Sequence, residues 1–134
     1  MSIYISDKTL QDLEFRTVLE QIASFSISEL GKKQSLEIIP FSNKKKLMNE
    51  LAYTNEYLSS FESENRIPNH GFDNISEQIK RLRIENSYLE PEKILKIKSV
   101  SETVDELKNH FQKFKPYYPS LFDISQKIES IPQI

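Results

Sequence analysis

The chain has 134 residues, 37% of them hydrophobic and 28% charged, with a formal charge of −2, two glycines and neither cysteine nor tryptophan. The length suits one domain, and Leu, Ile, Val and Phe, roughly 30% of the residues, are enough for a core. Without thiols there is no disulfide scaffold, thiolate zinc site or cysteine nucleophile, and Gly31 and Gly71 alone cannot build the GxxxxGK[ST] or GxGxxG phosphate loops.

The apolar spacing is helical almost throughout. In the first segment Phe15, Val18, Leu19, Ile22 and Phe25 share one face, with Asp7 and Asp12 near its start, where the helix dipole favours negative charge. Ser26-Ile27-Ser28-Glu29 then reads as a capping box that opens a shorter helix through Leu30, Leu36 and Ile39, with Gly31 in its first turn and Pro40 as its stop. Leu47, Leu51, Thr54, Leu58 and Phe61, at steps of four and three, predict a long helix over residues 43–64 with Ser42 as N-cap and this stripe facing the core.

Residues 64–72, with Pro68, Asn69 and Gly71, form the main loop. Asn74 and Glu77 cap the next helix, which uses Ile75, Ile79 and Leu82. Ile97, Val100, Val104, Leu107, Phe111 and Phe114 mark a second long helix, opened by Pro91 and closed before Pro116. Lys115 to Pro119 make a stiff turn, and Leu121, Ile124, Ile128 and Ile131 define the last element. The expectation is an all-α fold: a bundle of about six antiparallel helices in one domain over residues 1–134. The apolar ending IESIPQI adds the expectation that the chain is cut from a longer protein.

No apolar run approaches the roughly 20 residues of a membrane span, and the N-terminus lacks the basic start and apolar centre of a signal peptide. A cytoplasmic protein without membrane contact is expected. The small net charge gives no global field, so any contact with nucleic acid must be local. Two basic sets are candidates. Lys44, Lys45 and Lys46 oppose the dipole at a helix start and so suit a phosphate, although a solvated helix end is the plainer reading. Lys80, Arg81 and Arg83, with Lys93, Lys96 and Lys98 on the following helix, would make a basic groove if the two faces converge; the alternative is an ordinary charged surface interleaved with Glu77, Glu85, Glu90 and Glu92.

Neither His70, beside a turn signal, nor His110, on a helix face, has partners at catalytic or metal-binding spacing, and Glu62/Glu64 and Glu90/Glu92 lie two apart, on different sides of a helix. No catalytic, cofactor or metal site is therefore expected within the chain. Tyr117 and Tyr118, between prolines, are candidates for an exposed partner surface.

The order of segments carries a resemblance that no single motif does. Lys8-Thr9-Leu10, Leu13-Glu14-Phe15, Val18-Leu19-Glu20-Gln21-Ile22-Ala23 and Ser28-Glu29-Leu30-Gly31-Lys32 lead into a helix ending at Pro40. A long helix follows with Glu50, Thr54, Glu56 and Leu58, then Ile67-Pro68, Gly71-Phe72-Asp73-Asn74-Ile75, Leu89-Glu90-Pro91-Glu92 and Ile94-Leu95. Together these resemble the N-terminal region of the second bacterial MutS family, whose members end in an Smr nuclease domain.

The resemblance implies a helical region like the core and lever of MutS, followed in the parent protein by an ATPase with ATP and Mg and by an endonuclease domain. It also implies a homodimeric clamp on branched DNA or recombination intermediates that suppresses recombination or serves DNA repair, and in some members action on collided ribosomes. Two departures bound it. The Phe61-Glu62-Ser63-Glu64 run lacks the Phe-x-Glu spacing of a mismatch-reading wedge, so mismatch reading does not carry over. Glu90 stands where the family usually has Ser or Thr before the helix-opening proline, a poorer N-cap. A helical interaction or dimerisation module without nucleic-acid binding is the alternative.

Overall fold

Helices form through most of the described residues. The computed structural model describes residues 5–129, and its elements are seven α-helices with no strand among the described residues: α1 Asp7–Asp12, α2 Phe15–Ser24, α3 Glu29–Leu36, α4 Lys44–Ser60, α5 Ser76–Leu82, α6 Pro91–Lys113 and α7 Pro119–Ser125. They belong to two compact units, one ending at Met48 and the other beginning at Asn49.

In the first unit a helix expected to run unbroken is divided. Ser6 caps α1 by accepting from the Thr9 amide at 3.1 Å, and α1 stops at Asp12. Glu14 then adopts the left-handed conformation (φ 50°), which resets the chain direction before α2. Such a backbone costs a residue with a Cβ on the order of 1 kcal/mol, so packing must hold it. Asp7 is in a first turn as expected, but Asp12 closes α1, where the dipole disfavours it. The apolar stripe of α2 is turned as well: Leu19 and Ala23 are buried, whereas Val18, Ile22 and Phe25 are exposed. Leu19 and Ala23 are four apart on the face that α2 presents to its packed neighbours α1 and α3.

The cap of α3 is Ser28, not Ser26, with its hydroxyl accepting from the Gly31 amide at 3.0 Å. A Cβ on Gly31 would stand 3.1 Å from that hydroxyl, which explains a glycine inside a first turn. Ser35 adds two bonds, to the Gly31 carbonyl (2.9 Å) and the Ser26 hydroxyl (3.2 Å), and α3 ends at Leu36, before Ile39.

The second unit is organised by α6. Ile97 and Phe111 are buried, and Val100, Val104, Leu107 and Phe114 are half-buried, as the spacing predicts. Phe111 meets Tyr118 edge-on, and α7 packs against α6. Tyr118 is the most deeply buried side chain among the described residues, 1% exposed, and its hydroxyl donates to the Asn65 carbonyl at 2.6 Å. Expected exposure at Tyr118 is thereby corrected: the following proline starts α7 and turns the ring inward, while Tyr117 remains exposed.

Helix α4 departs further from expectation. Asn43, not Ser42, caps it by accepting from the Lys46 amide (3.1 Å), and it ends at Ser60. The Leu51, Leu58 and Phe61 stripe is exposed, while the adjoining face with Ala52, Tyr53, Glu56, Tyr57 and Ser60 turns inward. That face is held by polar ties. The Glu56 carboxylate accepts from the Ser120 amide at 2.9 Å and the Leu121 amide at 2.8 Å, neutralising the start of α7. Across the expected loop, the Tyr57 hydroxyl lies 3.2 Å from His70 Nε2 while His70 Nδ1 lies 2.9 Å from the Pro68 carbonyl. The carbonyl can only accept, so Nδ1 carries the proton and Nε2 accepts from Tyr57. His70 is thus a strut between loop and helix. Ile131, assigned to the last element, lies outside the described residues.

Candidate nucleic-acid interface

The Lys80, Arg81 and Arg83 set lies at the C-terminal end of α5. An Asx turn, with Asn74 Oδ1 accepting from the Ser76 amide (3.0 Å), starts this helix one residue later than the predicted cap. Lys80 and Arg81 occupy its last turn, where cations complement the free carbonyls. The chain then folds into a hook: the Ser87 hydroxyl donates to the Arg81 carbonyl at 2.6 Å, Ser87 N donates to the Ile84 carbonyl at 3.2 Å, and Asn86 is left-handed (φ 60°). Asn accepts that conformation more readily than most residues. The hook brings Tyr88 back to Arg81, whose Cζ lies 5.9 Å from the ring centroid.

The cations of this region differ in their partners. Lys80 pairs with Glu77 at 2.9 Å, Lys96 with Asp73 at 3.0 Å and Lys98 with Glu102 at 3.6 Å. These pairs are largely exposed, and exposed ion pairs contribute little to stability. Arg81 and Arg83 form no ion pair among the described residues, and both are exposed. Of the cations proposed for the groove, the Arg81 and Arg83 guanidiniums are thus exposed without an ion pair, as Arg66, Lys113, Lys115 and Lys127 are elsewhere in this unit, and a guanidinium matches a phosphate bidentately. Lys44, Lys45 and Lys46 belong to the other unit, exposed in the first turn of α4.

Sequence reasoning singled out Arg81 but not Tyr88. Seven residues separate them, and the contact is made by a hook after the helix has ended, so no periodicity announces it. The available signal was the Asn86-Ser87 turn pair before the extended approach to Pro91.

Among the described residues His110 is the one group whose titration is displaced. Its ring stands 4.8 Å from Phe114, 5.6 Å from Phe111 and 5.7 Å from Tyr118, and Nε2 is buried without a hydrogen-bond partner. Burial first, then the nearby Lys113 charge, lowers its pKa below 6.5, with Glu106 opposing. These surroundings suit a neutral packing residue. Among the described residues no group of three His, Cys, Asp or Glu is placed to hold a metal ion, and no helix is long and apolar enough to cross a membrane.

The described residues form an all-helical segment, and comparison of sequences says what that segment is similar to. Over 127 residues, 95% of its length, the chain is 26% identical to the Endonuclease MutS2 of Pelotomaculum thermopropionicum, of which it covers 16%. It is 28% identical over 126 residues to that of Aquifex aeolicus, 89% of this chain and 16% of the relative. With the Endonuclease MutS2 of Thermotoga petrophila the identity is 31% over 104 residues, 78% of this chain and 13% of the relative. The chain is a segment of MutS2-like sequence, spanning about one eighth to one sixth of the length of these curated relatives. No protein-family model matches it, and no solved structure matches it.

Proposed function

We propose that this chain is a non-catalytic, single helical domain, like the core and lever of MutS, of a cytoplasmic MutS-like protein that uses ATP and Mg elsewhere in its length. In this reading the parent is a homodimer that clamps branched DNA or recombination intermediates, in recombination suppression or DNA repair, or a collided ribosome, and its nuclease chemistry also lies outside this segment. Similarity along nearly the whole chain to proteins called Endonuclease MutS2 carries the reading. A helix rising about 1.5 Å per residue suits a lever, because it carries a rotation rigidly along its length, and α4 and α6 are the long helices.

Nucleic-acid contact is assigned to Lys80, Arg81 and Arg83, with Lys44, Lys45 and Lys46 as a second patch. Reversing the charge of the first three to Glu in the parent protein should weaken DNA and ribosome binding and flatten its salt dependence, each lost phosphate contact removing about one unit of log–log slope. Unchanged binding with an unchanged slope would overturn the assignment.

A second reading, a helical interaction or dimerisation module, is favoured by one observation: Leu51 and Leu58 stand exposed on α4, and Phe61 directly after it. Light scattering beside a DNA shift assay separates the two. A stable dimer without DNA affinity would support the module.

A further inference from the structure

The contact between Arg81 and Tyr88 goes beyond what a charged helix end requires. Cations in the last turn of α5 are explained by the dipole, but the dipole gives no reason to bring an aromatic ring back beside them. The hook does so through the Ser87 bond to the Arg81 carbonyl, with Asn86 spending a left-handed conformation on the turn. Tyr88 is nevertheless 75% exposed. The hook fixes the chain beside it, and the ring is not used as core: Arg81 lies over it at 5.9 Å, with Arg83 and Lys80 at the same short helix end. Glu85 within the hook and Glu77 against Lys80 moderate the charge without pairing with Arg81 or Arg83.

A positioned, exposed aromatic ring beside unpaired guanidiniums is the arrangement that binds single strands: the ring stacks on a base and the cations take the adjoining phosphates. A continuous duplex keeps its base faces inside the stack and offers such a ring only its edges and backbone, whereas unpaired bases can be splayed out onto it. We infer that the hook after α5 is a binding site for single-stranded nucleic acid, with one unpaired base stacked on Tyr88 and its flanking phosphates on Arg81 and Arg83. The inference rests on the proposed contact at Lys80, Arg81 and Arg83 and adds to it the form of nucleic acid and the residue that reads that form.

The test is fluorescence anisotropy on the 134-residue chain with a labelled 12-nucleotide single strand, as DNA and as RNA, and a blunt duplex of the same sequence, each over a salt series. The expected result is that the chain prefers at least one single strand to the duplex by at least about fivefold, the lower end of what one base–aromatic stack supplies. Tyr88→Ala should abolish that preference with the salt slope unchanged, and Tyr88→Phe should retain it. A purely structural role for Tyr88 would not produce this pattern, and circular dichroism of both variants checks the helices. Equal affinity for strand and duplex, a Tyr88→Ala variant that keeps the preference, or a Tyr88→Phe variant that loses it would each overturn the stacking site. The combined variant Lys80→Glu, Arg81→Glu and Arg83→Glu should weaken both probes and flatten the slope. If it binds both as the parent chain does, the proposed contact fails at its root. If it binds neither while Tyr88→Ala is neutral, the contact stands and only the stacking site falls. A chain that binds no probe overturns both.

Discussion

The two units are built by different means. Up to Met48, side-chain hydrogen bonds among the described residues reach across no more than nine residues: Ser6 to Thr9, Ser28 to Gly31, Asn43 to Lys46, Ser26 to Ser35. From Asn49 onward the decisive bonds join residues far apart in sequence, Tyr118 to Asn65 across 53 positions and Glu56 to Ser120 and Leu121 across 64 and 65. The first unit is held in its turns by its own neighbours, whereas the second depends on one buried tyrosine and one carboxylate to close long loops, each closure opposed by chain entropy. Losing a cap in the first unit should loosen one helix, and losing a tie in the second should release a whole connection.

Four measurements break or sharpen this contrast. The largest effect is expected from Tyr118→Ala, which removes a fully buried ring and its hydrogen bond and should cost about 3–5 kcal/mol. Hydrogen exchange should show α6 and α7 losing protection while α2 keeps its own, and equal loss in both would mean that the units do not differ as described. Next, Glu56→Ala should cost about 1.5–3 kcal/mol in urea denaturation, because two amides at the start of α7 lose a charged acceptor. Glu56→Gln should recover part of that, since its carbonyl oxygen still accepts.

The third concerns pH. The folded pKa of His110 is lowered, so between that value and 6.5 the unfolded chain binds more protons than the folded one. The contribution of His110 to stability is thus fully present above about 6.5 and is lost as pH falls toward the folded pKa. Unfolding at pH 7.5 and pH 5.5 should differ less in His110→Phe than in the parent chain, and equal differences would show that His110 is not the half-buried neutral group described.

The smallest effect is expected at the break between α1 and α2, where its sign decides. Glu14→Gly should stabilise the first unit by about 0.5 kcal/mol if the left-handed turn exists, and destabilise it by about 1 kcal/mol if α1 and α2 are one continuous helix in solution.

Legibility in the sequence follows the same division. The α6 stripe from Ile97 to Phe114, the Pro91 start and the loop around Pro68 and Gly71 were all readable, because each rests on contacts within a few residues. The cap positions slipped by one or two residues where several Ser and Asn side chains stood together: Ser28 rather than Ser26, Asn43 rather than Ser42. At the candidate site Arg81 was legible as one of a cluster of cations. Tyr88 was not, because a turn and not a repeat brings it there.

What the amino-acid order determined by itself is the helical class, most helix starts to within a residue or two, and the likeness to MutS2 proteins, all properties of neighbours along the chain. Only the tertiary structure decided which face of each helix is used. A 3.6-residue period defines a stripe but not what lies opposite it, so α4 turned Glu56 and Tyr57 inward and left Leu51 and Leu58 exposed. The same holds for Tyr118, buried because Pro119 and the Asn65 carbonyl, 53 residues before it, fix its direction together.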